Sequence, residues 1–215
     1  MGYTHPFHIT IARQLGSGGS ELARRVAGQL NFNYMDRQIL QQAAAELDTP
    51  EADLAHREER IKSFWIRMLE TFSTASSDYM VQPLPPPMVS DEKLFQAESR
   101  AMLKLSHQGS CVIVGRCGFH VLSGHGRLLN IFIHAPRSFR IDRLVAYYGV
   151  KDKTVAGRKI DIIDQERNRY VEMATRKSWT DARNYHLSMD MSQIGFDAAE
   201  ATIVSLAARI TGNSP

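Results

Sequence analysis

A glycine-rich turn between a predicted strand and a predicted helix constrains the fold of this chain more than any other feature. Residues 7–13 are rich in β-branched and aromatic residues, in the alternating pattern of a strand. Three glycines follow at positions 16, 18 and 19, and an apolar stripe of helical period starts at Leu22. This order of elements points backbone N–H groups and a helix N-terminus at one spot, which is an arrangement that binds phosphate.

Two glycine motifs can be compared with this turn. The dinucleotide-binding pattern G-x-G-x-x-G fails because Glu21 occupies its third glycine position. The phosphate-binding pattern G-x-x-x-x-G-K-[ST] fits at Gly18 and Ser20. However, Arg13 replaces its first glycine and Gly19 replaces its lysine. The match is degenerate, and on these residues alone a tight turn without a ligand stays an alternative.

The composition is that of a globular chain. Its 215 residues, 43% of them hydrophobic and 23% charged, are enough for a single domain over 1–215 with a sizeable core. The net charge of +3 is too small to indicate nucleic acid as a partner. No apolar run is long enough to span a membrane, and the chain does not start with a signal-peptide core. Cys111 and Cys117 lack metal-ligand spacing, so reduced thiols and a cytoplasmic location are expected.

Further along the chain, short apolar segments alternate with helical patterns. Strands are predicted at 32–35, 111–114, 128–135 and 187–191. Helices are predicted at 37–47, from residue 50 onward, at 91–107, from Pro136 onward, at 152–176 and at 196–210. This alternation predicts an α/β fold with a parallel sheet and helices on both faces, whose ligands bind beyond the carboxyl ends of the strands. The proline-rich stretch 73–90 fits either a loop or an ordered polyproline-like crossing.

Four segments are specific as a set through their order and spacing: ITIARQLGSGG at 9–19, YMD at 34–36, CVIVGRC at 111–117 and NYHLS at 184–188. Together they resemble the cytidylate kinase-like family, which belongs to the nucleoside monophosphate kinase group of P-loop proteins. The resemblance extends over about residues 7–206. It implies a three-layer P-loop fold, with a helical acceptor-binding insertion at about 37–107 and a lid at about 150–180.

The resemblance also assigns site residues by position. The donor phosphates would be held by Arg13, Gly16, Ser17, Gly18, Gly19 and Ser20, with the Ser20 hydroxyl near the Mg²⁺ of an ATP cofactor. The acceptor would be held by Asp36, Arg37 and Arg116. The charge of the transferred phosphate would be met by Arg116, Arg140, Arg143, Arg167 and Arg169. Arginine suits these places because its planar guanidinium binds phosphate oxygens with two N–H groups at once.

Some of these residues also have simpler interpretations. Asp36 fits the N-cap of the helix that follows it. Arg167 and Arg169 each follow an acidic residue, Asp164 and Glu166, at the i, i+3 spacing of ion pairs on an exposed helix. The two arginines of the helix after Pro136 fit surface positions equally well.

Three departures from the family pattern bear on activity. The loop lysine is missing, and Arg13 or Arg24 would have to supply its charge from another place in space. Losing one such contact costs on the order of 2.7–4 kcal/mol of barrier. Cys117 stands where the family's cytidylate kinases have an aspartate that helps to read cytosine, which leaves the base open. Ser20 stands where close members often carry a basic residue.

Two functions from different classes follow. The first is a phosphotransferase that uses ATP with Mg²⁺ and moves the γ-phosphate to a nucleoside monophosphate, with CMP as the expected acceptor. The second is a nucleotide-binding regulatory protein of the same fold, with weak or no catalysis. The retained arginines favour the first function and the missing lysine favours the second. In both cases the expected partners are nucleotides, without nucleic acid or a membrane, and a homo-oligomer would form through the helical insertion.

Overall fold

A parallel sheet is the centre of the computed structural model, which describes residues 6–36, 38, 39, 41–43 and 91–212. Its five strands are β1 (Phe7–Arg13), β2 (Asn33–Met35), β3 (Cys111–Val114), β4 (Arg127–His134) and β5 (Leu187–Asp190). Their order across the sheet is β2-β3-β1-β4-β5, and each neighbouring pair is parallel. β1 is therefore the central strand, and its carboxyl end leads directly into the glycine turn.

The longer helices agree closely with those predicted from periodicity. They are α1 (Gly19–Leu30), α2 (Asp91–Ser106), α3 (Gly118–Val121), α4 (Arg137–Tyr147), α5 (Lys153–Thr175), α6 (Met191–Ile194) and α7 (Phe196–Thr211), with a 3-10 helix at Ala182–Asn184. The helices predicted at 91–107, 152–176 and 196–210 are confirmed to within one residue at each end, whereas α3, α6 and the 3-10 helix were not predicted. Among the residues described, no helix combines the length and the apolar character that a membrane crossing requires.

Helices cover both faces of the sheet because its central strands are apolar on both sides. On one face, α1 and α7 pack side chains such as Val26 and Ile203 against the inner strands. On the other face, α2 contributes Ala101, while α3 and α5 contribute Phe119 and Val171. The predicted α/β architecture, a parallel sheet between two helical layers, is confirmed.

The end of the last strand differs from the predicted strand at 187–191. β5 ends at Asp190, whose carboxylate accepts hydrogen bonds from the backbone N–H of Ser192 at 2.9 Å and from its hydroxyl at 2.7 Å. This cap starts the short helix α6 at Met191. Met191 was predicted to belong to the strand because it is apolar. The cap formed by Asp190 starts a helix at this residue instead.

The predicted helical insertion falls mainly outside the described residues. Positions 44–90 are not described, and of the predicted helix at 37–47 residues 38, 39 and 41–43 are helical. The extent of the insertion therefore stays a prediction. The predicted lid at about 150–180 coincides in sequence with α5 and the turn that follows it.

Two buried thiols lie near β3: Cys111 is its first residue, and Cys117 is the N-cap of α3. Cys111 and Cys117 are free cysteines, 0% and 2% exposed. Burial raises the pKa of each thiol to about 12, against 9.0 for an ordinary thiol. The folded protein therefore holds both protons over a pH range in which the unfolded chain releases them.

This difference predicts a loss of stability in alkaline solution. The thiols' contribution is fully present below pH 9 and is lost as the pH rises toward 12. The slope is about 1.4 kcal/mol per pH unit for each thiol. Urea unfolding between pH 8 and pH 10 measures it, and the double variant Cys111→Val/Cys117→Ala is expected to be less sensitive to alkali. An equal slope in that variant would contradict this account.

Candidate functional site

The glycine turn leaves several backbone N–H groups available at the carboxyl end of β1. Gly18, with φ +89°, is the N-cap of α1, and its carbonyl accepts from the N–H groups of Glu21 and Leu22 at 3.1 and 3.0 Å. Within the described part of the chain, the N–H groups of Gly18, Gly19 and Ser20 have no acceptor. Free donors at a helix N-terminus are suited to an anion.

The glycines of this turn are also required by the protein around them. A Cβ at Gly18 would lie 2.6 Å from Cζ of Phe196, and a Cβ at Gly16 would lie 2.7 Å from the carbonyl oxygen of Arg140. A substitution at Gly18 therefore disturbs the contact with α7 whether or not a phosphate binds. The glycines by themselves do not distinguish a ligand-binding loop from a tight turn. That distinction depends on the side chains around the loop.

A cleft of about 420 Å³ opens beside the loop. Its charged lining residues are four arginines and one carboxylate, namely Arg13, Arg24, Arg116, Arg167 and Asp36. Other lining residues are Gln14, Leu15, Gly16, Gly18, Gly19, Ser20, Tyr34, Gln38 and Tyr148. This excess of positive charge around free N–H groups predicts a ligand with several negative charges.

Arg167 shows the effect of this crowding. One of its guanidinium N–H groups donates to the carbonyl oxygen of Arg13 at 2.9 Å. Burial, followed by the nearby charge of Arg13, lowers the pKa of Arg167 to about 9. The guanidinium is still protonated at neutral pH, but its charge is less well stabilised than in water. An anion bound in the cleft would reverse this effect.

Arg116 is held by a buried carboxylate that the sequence analysis missed. Its guanidinium forms an ion pair with Glu98 of α2, and the two side chains are 10% and 1% exposed. Its Nε also donates to the backbone carbonyl of Asp36 at 3.4 Å. The other carboxylate oxygen of Glu98 accepts from the hydroxyl of Tyr170 on α5. Glu98 therefore joins two helices to the arginine at the end of β3.

The backbone at Arg116 is in an uncommon conformation. Gly115, Arg116 and Cys117 all have positive φ angles, of 75°, 53° and 55°. Such values cost on the order of 1–2 kcal/mol for a residue with a side chain. The ion pair with Glu98 and the hydrogen bond from the N–H of Gly118 to the carbonyl of Gly115, at 3.0 Å, hold this turn in its conformation. Strain held in this way is common at functional sites.

Asp164 ties the loop to α5 and was interpreted from sequence as a residue of an exposed ion pair. Its carboxylate accepts from the N–H of Leu15 at 2.8 Å and pairs with Arg140 at 2.5 Å. Its Oδ1 lies 3.6 Å from Nη1 of Arg167. The side chains of Asp164 and Arg167 are 15% and 13% exposed. The pair at i, i+3 spacing is therefore largely buried beside the cleft and not on an exposed helix face.

The structure brings some of the sequence-predicted residues into the cleft and locates others elsewhere. Arg140 is buried and also donates to the carbonyls of Ala135 and Leu15, at 3.0 and 3.2 Å. Arg143 pairs with Glu21 at 2.9 Å and lies against Phe196 and Tyr147. Ser17 is buried, with its hydroxyl donating to the carbonyl of Gln14 at 2.8 Å, and Arg169 is exposed on α5. Arg37 lies outside the described residues, and the predicted roles of these five residues stay predictions.

One feature of the sequence could have identified Glu98 as a buried residue. Glu98 lies among Leu94, Ala97 and Ala101, which form the buried stripe of α2. A carboxylate within an apolar stripe is rarely buried unless it is paired. That signal indicates a buried partner, although it does not identify Arg116, which is distant in sequence.

A second cavity adjoins the cleft. It has a volume of about 480 Å³ and lies at the carboxyl ends of β4 and β5, with His134, Ala135, Pro136 and Asp190 in its lining. Gln14 lines both cavities. Together they extend along the edge of the sheet where ligands of such folds bind.

A parallel sheet of this strand order, with a glycine loop between its central strand and α1, defines a P-loop kinase-like fold. More specifically, the chain belongs to the cytidylate kinase-like family, whose sequence profile matches residues 8–193. The fold and the family that the four sequence segments indicated are confirmed.

Several solved structures are similar to this chain. An uncharacterised protein from Eubacterium ventriosum is 20% identical, with 94% of this chain and 98% of that chain covered and a TM-score of 0.67. A gluconokinase from Sinorhizobium meliloti is 14% identical, with 99% and 94% covered and a TM-score of 0.49. A shikimate kinase from Acinetobacter baumannii, in complex with shikimate, is 11% identical, with 98% and 96% covered and a TM-score of 0.46. No curated protein matches this chain at a significant level.

Proposed function

We propose that this protein is a phosphotransferase that moves the γ-phosphate of ATP to a nucleoside monophosphate, with CMP as the first acceptor to test. The observation that supports it best is the cleft beside the loop, where four arginines face one carboxylate. Phosphoryl transfer needs little from a protein besides positioning and positive charge around phosphate oxygens. The adjoining second cavity offers space for a second ligand at the same edge of the sheet.

In the proposed reaction, an oxygen of the acceptor phosphate bonds to the γ-phosphorus while the bond from that phosphorus to the bridging oxygen breaks. ADP leaves with the bonding electron pair, and the ionised acceptor oxygen has no proton to lose. Ser20 and Asp36 both line the cleft and offer the oxygen ligands that Mg²⁺ takes. Mg²⁺ bound with ATP would neutralise part of the phosphate charge. The free N–H groups of the loop would bind donor oxygens.

A second candidate function is a nucleotide-binding regulatory protein of the same fold. The ion pair between Arg116 and Glu98 favours it, because the arginine assigned to the acceptor phosphate already has a carboxylate partner. The glycine at the lysine position of the loop favours it too. For both candidate functions, we propose that the protein is cytoplasmic and that it forms a homo-oligomer through the helical insertion.

Two measurements on the full chain separate the candidates. Calorimetric titration with ATP and Mg²⁺ tests binding, and a coupled assay of ADP formation with CMP, UMP, AMP, GMP and dCMP tests transfer. The phosphotransferase is expected to form ADP with at least one acceptor well above the rate without acceptor. Binding without transfer would support the regulatory protein. A chain that does not bind ATP would contradict both proposals.

A further inference from the structure

We propose that Arg13 supplies, from the end of β1, the positive charge that a lysine at the start of the helix supplies in loops of the G-x-x-x-x-G-K-[ST] pattern. This inference rests on the proposed function for the identity of its ligand, the β- and γ-phosphates of ATP. It makes Arg13 a catalytic residue and explains why glycine stands at position 19.

The stem of Arg13 occupies the space that a side chain at position 19 would need. A Cβ at Gly19 would lie 2.5 Å from Cβ of Arg13, 3.1 Å from its Cγ and 3.2 Å from Cβ of Ile133. Contacts under 3.0 Å between such atoms do not occur without movement of the chain. A lysine at position 19 therefore requires either a glycine at position 13 or a movement of the chain. The missing lysine and the arginine at the end of β1 are two parts of one arrangement.

The head of Arg13 lies between the loop and the end of β3. Its Nε donates to the hydroxyl of Ser20 at 3.4 Å. On the other side the guanidinium approaches Gly115 so closely that a Cβ there would lie 2.2 Å from Nη1. Arg116 and Arg167 line the same cleft. The guanidinium therefore lies within reach of the loop, where donor phosphates would bind, and next to the turn that carries Arg116.

Arg13 differs from its neighbours in its charge balance. Arg116, Arg140 and Arg143 each form an ion pair with a carboxylate. Arg13 forms none with a carboxylate of the described residues, although it is only partly exposed. Burial lowers its pKa most, the charge of Asp36 opposes that effect, and the charge of Arg116 lowers the pKa further. A partly buried cation without a direct ion pair is costly to the fold, and an anionic ligand would compensate its charge.

During transfer, Arg13 would gain and lose no proton. Its N–H groups would donate to oxygens of the β- and γ-phosphates, where negative charge develops as the bond to the bridging oxygen breaks. The planar guanidinium can donate two hydrogen bonds to these oxygens at once.

The test compares Arg13→Met with the wild-type protein. Methionine keeps an apolar stem beside Gly19 and removes the charge. The rate of ADP formation is expected to fall about 100- to 1,000-fold. The melting temperature is expected to stay equal or to rise, because the change removes a partly buried cation that has no direct ion pair. Arg13→Lys keeps a charge and is expected to be at least about tenfold faster than Arg13→Met. Arg209→Met, at an exposed arginine in the last turn of α7, is the control and should leave the rate unchanged.

Arg140→Met provides the stability contrast within the same region. It removes an arginine that has a carboxylate partner, Asp164, and is expected to lower the melting temperature by roughly 10 °C. If Arg13→Met lowers it as much, Arg13 is structural and the inference is wrong. It is equally wrong if Arg13→Met keeps the wild-type rate, or if Arg13→Lys is no faster than Arg13→Met.

The same experiments distinguish a failure of the proposed function from a failure of the role of Arg13. A wild-type protein that transfers phosphate, with an equally active Arg13→Met variant, overturns the role of Arg13 alone. If the wild-type protein binds ATP without transferring phosphate, the two proteins are compared by calorimetry with ATP and Mg²⁺. A loss of affinity of about tenfold or more then supports phosphate binding by Arg13, and equal affinity overturns it. A wild-type protein that does not bind ATP overturns both proposals.

Discussion

A Glu98→Leu variant is expected to lose about 3–5 kcal/mol of its free energy of unfolding, because it leaves the Arg116 cation buried without its carboxylate. The two side chains are 1% and 10% exposed, so water offers little compensation. The same change removes the acceptor of the Tyr170 hydroxyl. Burial, and then the charge of Glu98, raise the pKa of Tyr170, so this hydroxyl stays a donor throughout the neutral range.

Urea unfolding at neutral pH measures this loss. Glu92→Gln, at an exposed carboxylate in the first turn of α2, is the control and is expected to change the stability little. The double variant Glu98→Leu/Arg116→Met removes both charges and is expected to recover roughly half of the loss or more. Losses that simply add in the double variant would show that the pair is not coupled.

Arg116 has the features of both a ligand-binding residue and a structural residue. It lines the cleft, as a residue that binds the acceptor phosphate would, and it is paired with a core carboxylate, as a structural residue would be. Replacing Arg116 leaves Glu98 buried without its partner, so the melting temperature falls whichever role Arg116 has. Stability therefore does not separate the two roles. Affinity for the acceptor does, since a purely structural Arg116 would affect donor and acceptor together.

The parts of the fold that were predicted from sequence depend on local patterns. The apolar run at 111–114 and the long periodic helix at 152–176 both carry enough neighbouring residues to define their element. Their alternation limits the sheet to parallel pairing. The strand end at Asp190 was missed because a single hydrogen-bonding side chain overrides the apolar pattern at Met191.

The candidate site was predictable only in part. The loop and Arg116 were identifiable because both stand directly after buried strands, and the sheet brings those ends together. Glu98, Asp164 and Tyr170 act through partners that are far away in sequence, and no spacing rule connects them. Arg140 and Arg143 have the expected positions in the chain, but each is paired with a carboxylate and neither is among the residues that line the cleft.

An Asp164→Asn variant is expected to lose about 3 kcal/mol of its free energy of unfolding. Asparagine keeps an oxygen for the N–H of Leu15, so the change mainly removes the charge. Arg140 is then left buried with only backbone carbonyls as acceptors. The melting temperature should fall by roughly 6–12 °C. The affinity for ATP should fall as well, since Arg140 also donates to the carbonyl of Leu15 in the loop.

Asp161→Asn is the matched control for this effect. Asp161 lies one turn earlier on α5 and also pairs with an arginine of α4, Arg137, at 2.7 Å. These two side chains are 58% and 52% exposed, so water and salt screen their attraction. No measurable change in melting temperature is expected. Equal shifts in Asp161→Asn and Asp164→Asn would mean that burial does not decide the strength of these pairs. A large shift in Asp164→Asn with unchanged ATP affinity would instead separate the stability of α5 from the geometry of the loop.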